Sequence, residues 1–175
     1  MKFIIAQILG GLVFLFFVLS INSKKKATIL MFQIVANLIG FMQFVLLGAY
    51  TGAIMAIIGT MRLNVFYFFE KEKLKPNVLV LLVFSAIILV SGYYTYDDIY
   101  SLFPIVSMLF TGLILWQEDT AIIRLGSGMA SVLWIIYNFF VGAYTGLVAE
   151  FVSIVVIGIS YYKNEIKMKK SKISK

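Results

Sequence analysis

Apolar runs of about twenty residues, each closed by a short polar stretch, follow one another along the whole chain. A helix needs about twenty mostly apolar residues to cross a bilayer core. Seven stretches reach that length, near 3–21, 27–47, 49–69, 77–94, 100–116, 121–141 and 144–162. Lys24, Lys25 and Lys26 end the first, Pro76 precedes the fourth, and Asp97 and Asp98 lie between the fourth and fifth. Gln117, Glu118 and Asp119 separate the fifth from the sixth, while the second and third, like the sixth and seventh, are parted by a single tight turn. The expected fold is an all-α, polytopic membrane protein with seven transmembrane helices.

Charge placement orients these crossings. With the N-terminus outside and the C-terminus inside, Lys24 to Lys26, then Lys71, Lys73 and Lys75, then the six lysines of the tail all fall on the inner side. Lys2 stands alone on the outer side. That distribution satisfies the positive-inside rule, and an even number of crossings would violate it at the first cluster or at the tail. A secretory signal peptide is the alternative for the first stretch, with Lys2, an apolar run and small residues from Ser20 to Ser23. Three lysines directly behind the run argue for a true crossing instead.

Composition agrees and narrows the chemistry. The chain of 175 residues is 62% apolar and 13% charged, with mean hydropathy +1.00. Soluble domains are nearer one half and one quarter, and a disordered chain is poorer in aromatic and branched residues. Cys and His are both absent. Disulfide scaffolds, thiol nucleophiles, Cys/His zinc sites and Ser-His-Asp triads are thereby excluded. The net charge of +7 reports topology here. The basic tail, with six Lys and one Glu, suits anionic inner-leaflet lipid at about 1 kcal/mol per lysine. The expected partners are the lipid bilayer and a small polar solute, with no nucleic acid and no cofactor; a homo-oligomer is compatible with the sequence.

Self-similarity divides the chain. Gly-Ala-Tyr-Thr-Gly occurs at 48–52 and again 94 residues later at 142–146. At the same offset Leu15, Phe16 and Leu19 meet Leu109, Phe110 and Leu113, Ala27 and Ile29 meet Ala121 and Ile123, Ala36 meets Ala130 and Tyr67 meets Tyr161. The reading is 3+1+3: a first three-helix repeat over 1–70, a linker with the fourth helix over 71–96, a second repeat over 97–162 and a basic tail over 163–175. Equivalent helices are four crossings apart, so the halves share one orientation, a parallel repeat about the membrane normal. The fourth helix, nearly free of polar residues at its centre, reads as a spacer facing lipid.

This plan resembles the SWEET/SemiSWEET superfamily and the PnuC vitamin transporters, and the sequence is most similar to the YgjV family of bacterial inner-membrane proteins. The resemblance is carried by Leu46-Leu47-Gly48-Ala49-Tyr50-Thr51-Gly52 and Arg62. In the second half it is carried by Arg124, Trp134-Ile135-Ile136-Tyr137-Asn138, Gly142-Ala143-Tyr144 and Glu150. It implies a small transporter fold in the bacterial inner membrane, without naming a substrate. One departure stands out: SWEET-like proteins often carry Pro-Gln in the first helix of each half, whereas Pro104 precedes Ile105 and its first-half counterpart is Gly10. Asn64 resembles the helix-three asparagine that contacts substrate in SWEET-like folds.

Polar residues inside the crossings are the candidate site, because ionisable groups in a membrane are expensive. Glu150 sits about six residues into the seventh helix, roughly 9 Å from its outer end. It reads as a cation, amine or proton site, or else as a carboxyl bonded between helices. Arg62 reads as a gate or anion contact, or as a snorkelling side chain; Arg124, near the inner end, reads as an anchor. Asn37, Asn64, Asn138, Gln33 and Gln43 are either interhelical glue or cavity-lining amides. Asn138 lies one turn from Trp134, and an indole beside an amide suits a sugar or heteroaromatic ring. Gly48, Gly52, Gly142 and Gly146 read as chain reversal rather than as Gly-x-x-x-Gly packing. Pro104, with Gly10 and Gly11, reads as a loosened first helix in each half, or as a static kink.

The function implied is transport of a polar solute bound between the two repeats. Alternating access follows, with facilitated diffusion as the default and proton coupling through Glu150 as the variant. The competing reading is a non-transporting scaffold or accessory subunit whose polar residues glue helices. An enzyme is disfavoured, because a lone intramembrane carboxylate without His, partner acid or metal cluster is poor catalytic equipment.

Overall fold

The computed structural model describes residues 1–75, 77–117 and 120–161, without the side chains of residues 115, 120, 121, 124, 160 and 161. Pro76, Glu118, Asp119, the side chain of Arg124 and the basic tail lie outside the described residues. The described chain is all helical. Its elements are α1 (Lys2–Asn22), α2 (Lys26–Leu47), α3 (Tyr50–Lys71), α4 (Val78–Tyr94), a 3-10 turn (Ile99–Ser101), α5 (Leu102–Leu115), α6 (Thr120–Phe140) and α7 (Tyr144–Tyr161). By length and composition α1, α2 and α3 can each cross a membrane. Apolar segments of the other four are shorter.

Local chemistry sets the element ends. Asn77 caps α4 by accepting from the Leu79 amide at 2.9 Å. Asp98 accepts from the Tyr100 and Ser101 amides at 2.8 and 3.2 Å and so starts the 3-10 turn. Pro104 falls in the first turn of α5, where an amide has no intrahelical partner to lose. It therefore breaks no hydrogen bond, and α1, which carries Gly10 and Gly11, is likewise continuous.

Both copies of the repeated pentapeptide fold alike. Gly48 and Gly142 each adopt φ +73°, a conformation that side chains resist. Ala49 donates back to the Phe44 carbonyl at 2.9 Å, and Ala143 donates to that of Asn138 at 2.9 Å. Each reversal thus closes the preceding helix with a backbone bond of the Schellman type. The second glycine of each copy does something else. A Cβ on Gly52 would sit 2.7 Å from the Tyr137 ring, and one on Gly146 would sit 3.2 Å from the Asn138 amide nitrogen. Chain reversal therefore explains only the first glycine of each copy; close packing explains the second.

The helices form a ring. α1 packs on α2, α2 on α3, α3 on α5, α5 on α6, α6 on α7, and α7 returns to α1. α4 stays outside the ring against α3 and α5, its Leu79, Leu82, Ile87 and Leu89 exposed. Polar bonds tie two of the seams. Between α7 and α1, the Thr145 amide donates to Gln7 Oε1 at 3.0 Å and Gln7 Nε2 donates to the Gly142 carbonyl at 2.9 Å. Between α3 and the start of α5, the Thr51 hydroxyl donates to the Thr95 carbonyl and faces Ser101 Oγ at 3.3 Å.

Alanine at Gly48 or Gly142 forces a side chain into the left-handed region, which costs roughly 1–2 kcal/mol. Gly11 lies within α1 with open space where a Cβ would go, so Gly11→Ala is expected to be neutral or to stabilise by up to about 1 kcal/mol. Thermal unfolding of the purified protein in detergent checks the contrast: G48A and G142A melt lower than the parent, G11A does not.

Candidate functional site

Six helices enclose a cavity of about 190 Å³, to which α4 contributes nothing. At about 30 Å³ per liquid water this is room for some six water molecules. The cavity runs from Ser20, Ile21 and Lys26, at the lysine-bearing end of the bundle, to Gln43, Phe44, Asn138 and Gly146 near the glycine turns. At its lysine-bearing end Lys26 pairs with Glu70 at 3.6 Å.

Helical phase decides which side chains arrive there. On α6, Ser127, Ser131, Trp134 and Asn138 recur every three or four residues and form one polar stripe along the cavity. On α7, Gly146, Glu150 and Ser153 do the same. Five of the six sequence candidates meet in this space: Glu150, Asn138, Trp134, Asn37 and Arg62. Asn64 is the correction. It lies two residues from Arg62, so on a helix it points about 200° away. It is exposed on the outer face of α3, and its Nδ2 donates to the Thr60 carbonyl one turn back at 2.9 Å.

Arg62 does not snorkel. It is 4% exposed, and its guanidinium donates to the Met108 carbonyl and, at 2.8 Å, to Thr111 Oγ1 on α5. No carboxylate pairs with it among the described residues. Glu150 on α7 and Ser131 on α6 border the same cavity. Three buried polar atoms of the lining residues have no partner among the described residues: Arg62 Nε, Gln43 Nε2 and Asn138 Oδ1. Such orphans are uncommon in native proteins and call for an explanation. No group of three or more potential metal ligands occurs among the described residues.

Aromatic packing closes the end near the glycine turns. Phe44 stacks on Trp134 with centroids 5.7 Å apart and planes 22° from parallel. Tyr137 meets Trp134 edge-on at 5.9 Å, and Tyr100 stacks on Phe140. Behind them Phe44, Ala49, Ala53, Tyr137 and Ala143 form a buried cluster. The Tyr137 hydroxyl accepts from the Gly52 amide at 2.8 Å, using a first-turn donor of α3 that lacks a helical partner.

Residues 4–168 match a family model described as a bacterial inner membrane protein. The chain belongs to the Imp-YgjV family. No curated protein and no solved structure matches it. Membership places the chain in the bacterial inner membrane, in agreement with its apolar helices. Within this family member, sequence reasoning missed Ser127, Ser131, Ser153 and Thr111 as cavity residues. Their signal was present as the spacing 127, 131, 134, 138 on one helix, but single hydroxyls in an apolar helix pass easily for helix-internal bonds. Ser127 does make such a bond, donating to the Ile123 carbonyl at 2.7 Å.

Tyr137→Phe keeps the ring and strands the Gly52 amide. Leaving a buried donor unpaired costs about 1–3 kcal/mol, so the variant is expected to melt measurably lower in detergent. An unchanged melting temperature would show that the amide finds another partner.

Proposed function

We propose that this chain is a small-molecule transporter of the SWEET/PnuC architectural type, moving a polar solute by alternating access between two three-helix repeats. In this reading the seven helices all cross the membrane as 3+1+3, N-terminus outside and C-terminus inside. The observation that carries it is the cavity: ringed by six helices, largely apolar but bordered by Glu150, Arg62, Asn37 and Asn138, extending to the lysine-bearing end and packed with aromatic side chains at the other. That is the shape of a carrier with its inner side accessible.

The parallel repeat is supported by more than the pentapeptide. The ring order relates α1, α2 and α3 to α5, α6 and α7, with the α3–α5 seam equivalent to the α7–α1 seam. Thr51 faces Ser101 across one seam, and Thr145 binds Gln7 across the other. Thr145 and Ser101 lie 94 residues after Thr51 and Gln7, so the two contacts are counterparts. The scaffold reading calls for a dry, sealed interior; a cavity that reaches the ionisable Glu150 and Arg62 weighs against it. No enzymatic step, cofactor or nucleic acid enters this proposal. Facilitated diffusion remains its default mode.

Protein reconstituted in liposomes is expected to move a small polar solute. Alanine at Glu150, Asn138 or Trp134 should lower the rate severalfold at unchanged expression, whereas Asn64→Ala should leave it intact. Unchanged transport in all three cavity variants would remove the site assignment. A green fluorescent protein fused after Lys175 should fluoresce in cells, as it does when held on the inner side.

A further inference from the structure

We infer that the solute held in this cavity is a small zwitterion, its anionic group met by Arg62 and its cationic group by Glu150. The inference rests on reading the cavity as a solute site and names the class of solute. A guanidinium that is 4% exposed has only neutral acceptors, the Met108 carbonyl and the Thr111 hydroxyl, and its Nε has none. A buried charge without a counter-charge is strongly unfavourable, and an arriving anion offsets that cost. Glu150, on α7, borders the same cavity and pairs with no cation among the described residues.

The two charges sit at different depths. Arg62 is twelve residues from the start of α3 and Glu150 is six from the start of α7, so the helical rise places them about 9 Å apart along the bundle axis. The cavity volume of about 190 Å³ has room for a short amino acid. A neutral polyol would leave both buried charges uncompensated, and a simple carboxylate would satisfy only one.

The test uses the full chain, purified in detergent. Thermal shift and tryptophan fluorescence are followed with glycine, 3-aminopropanoate, 4-aminobutyrate and 5-aminopentanoate. Butyrate, butylamine and erythritol serve as comparisons of matched size. At least one zwitterion is expected to bind tenfold or more tightly than every comparison compound. Arg62→Gln should abolish that preference while Arg62→Lys, which keeps the charge, retains most of it. Glu150→Gln should bring the zwitterion down to the level of butyrate. Equal or tighter binding of butyrate or erythritol, or no response to any zwitterion, overturns the inference. So does a preference that survives both R62Q and E150Q. The ligand-free melting temperature of each variant separates lost binding from lost folding, and R62K carries the Arg62 test if R62Q does not fold. Transport of a neutral solute in liposomes would sink this inference and leave the carrier reading standing. Zwitterion binding with no transport would do the reverse.

Discussion

Helices immersed in lipid gain little from hydrophobic association, because acyl chains are as apolar as leucine; what draws them together is close packing and polar contact. That constraint accounts for where this chain spends its few polar side chains. Gln7 and Thr145 join α1 to α7, Thr51 and Ser101 join α3 to α5, and Arg62 ties α3 to α5 again at greater depth. α4 has no comparable polar contact to the ring among the described residues beyond the carbonyl of Thr95 just past its end. It packs through Ile88 and Gly92 and turns the rest of its surface outward.

Much of this was legible in the residues themselves. Helix ends fell within a few residues of expectation because lysines, the glycine turns and Asp97-Asp98 are strong punctuation. The identical geometry at Gly48 and Gly142 follows from five identical residues meeting identical backbone demands. Rotational phase was harder. An amphipathic helix advertises its inner face by contrast, but α1 and α4 are apolar nearly all round and carry little such contrast. On α3 the difficulty was one of choosing between faces: Asn64, two residues from Arg62, is on a different face, and only the placement of α3 in the ring shows which face looks inward. The α6 stripe of Ser127, Ser131, Trp134 and Asn138 was available by spacing alone.

Polar groups that hold helices together are satisfied; those left over tell a different story. Gln7, Thr51, Ser101 and Thr145 all find partners among the described residues. Gln43, Arg62 and Asn138 each keep one buried atom without a partner, and all three border the cavity. A bundle held only by interhelical glue has no use for orphans concentrated around one space, since each destabilises the fold by about 1–3 kcal/mol.

On the carrier reading, the closed end should come apart along the boundary between repeats, and the contacts there are sorted accordingly. Each glycine reversal lies inside one triplet, joining α2 to α3 or α6 to α7. The contacts that shut the cavity cross between triplets: Phe44 of α2 against Trp134 of α6, and the Gly52 amide of α3 against the Tyr137 hydroxyl of α6. On that reading, rocking one triplet on the other breaks this stack and this hydrogen bond at the closed end, while the seam contacts of Gln7 with Thr145, Thr51 with Ser101 and Arg62 with Thr111, which cross the same boundary, have to pivot or yield. The two reversals, each inside one triplet, need not move at all.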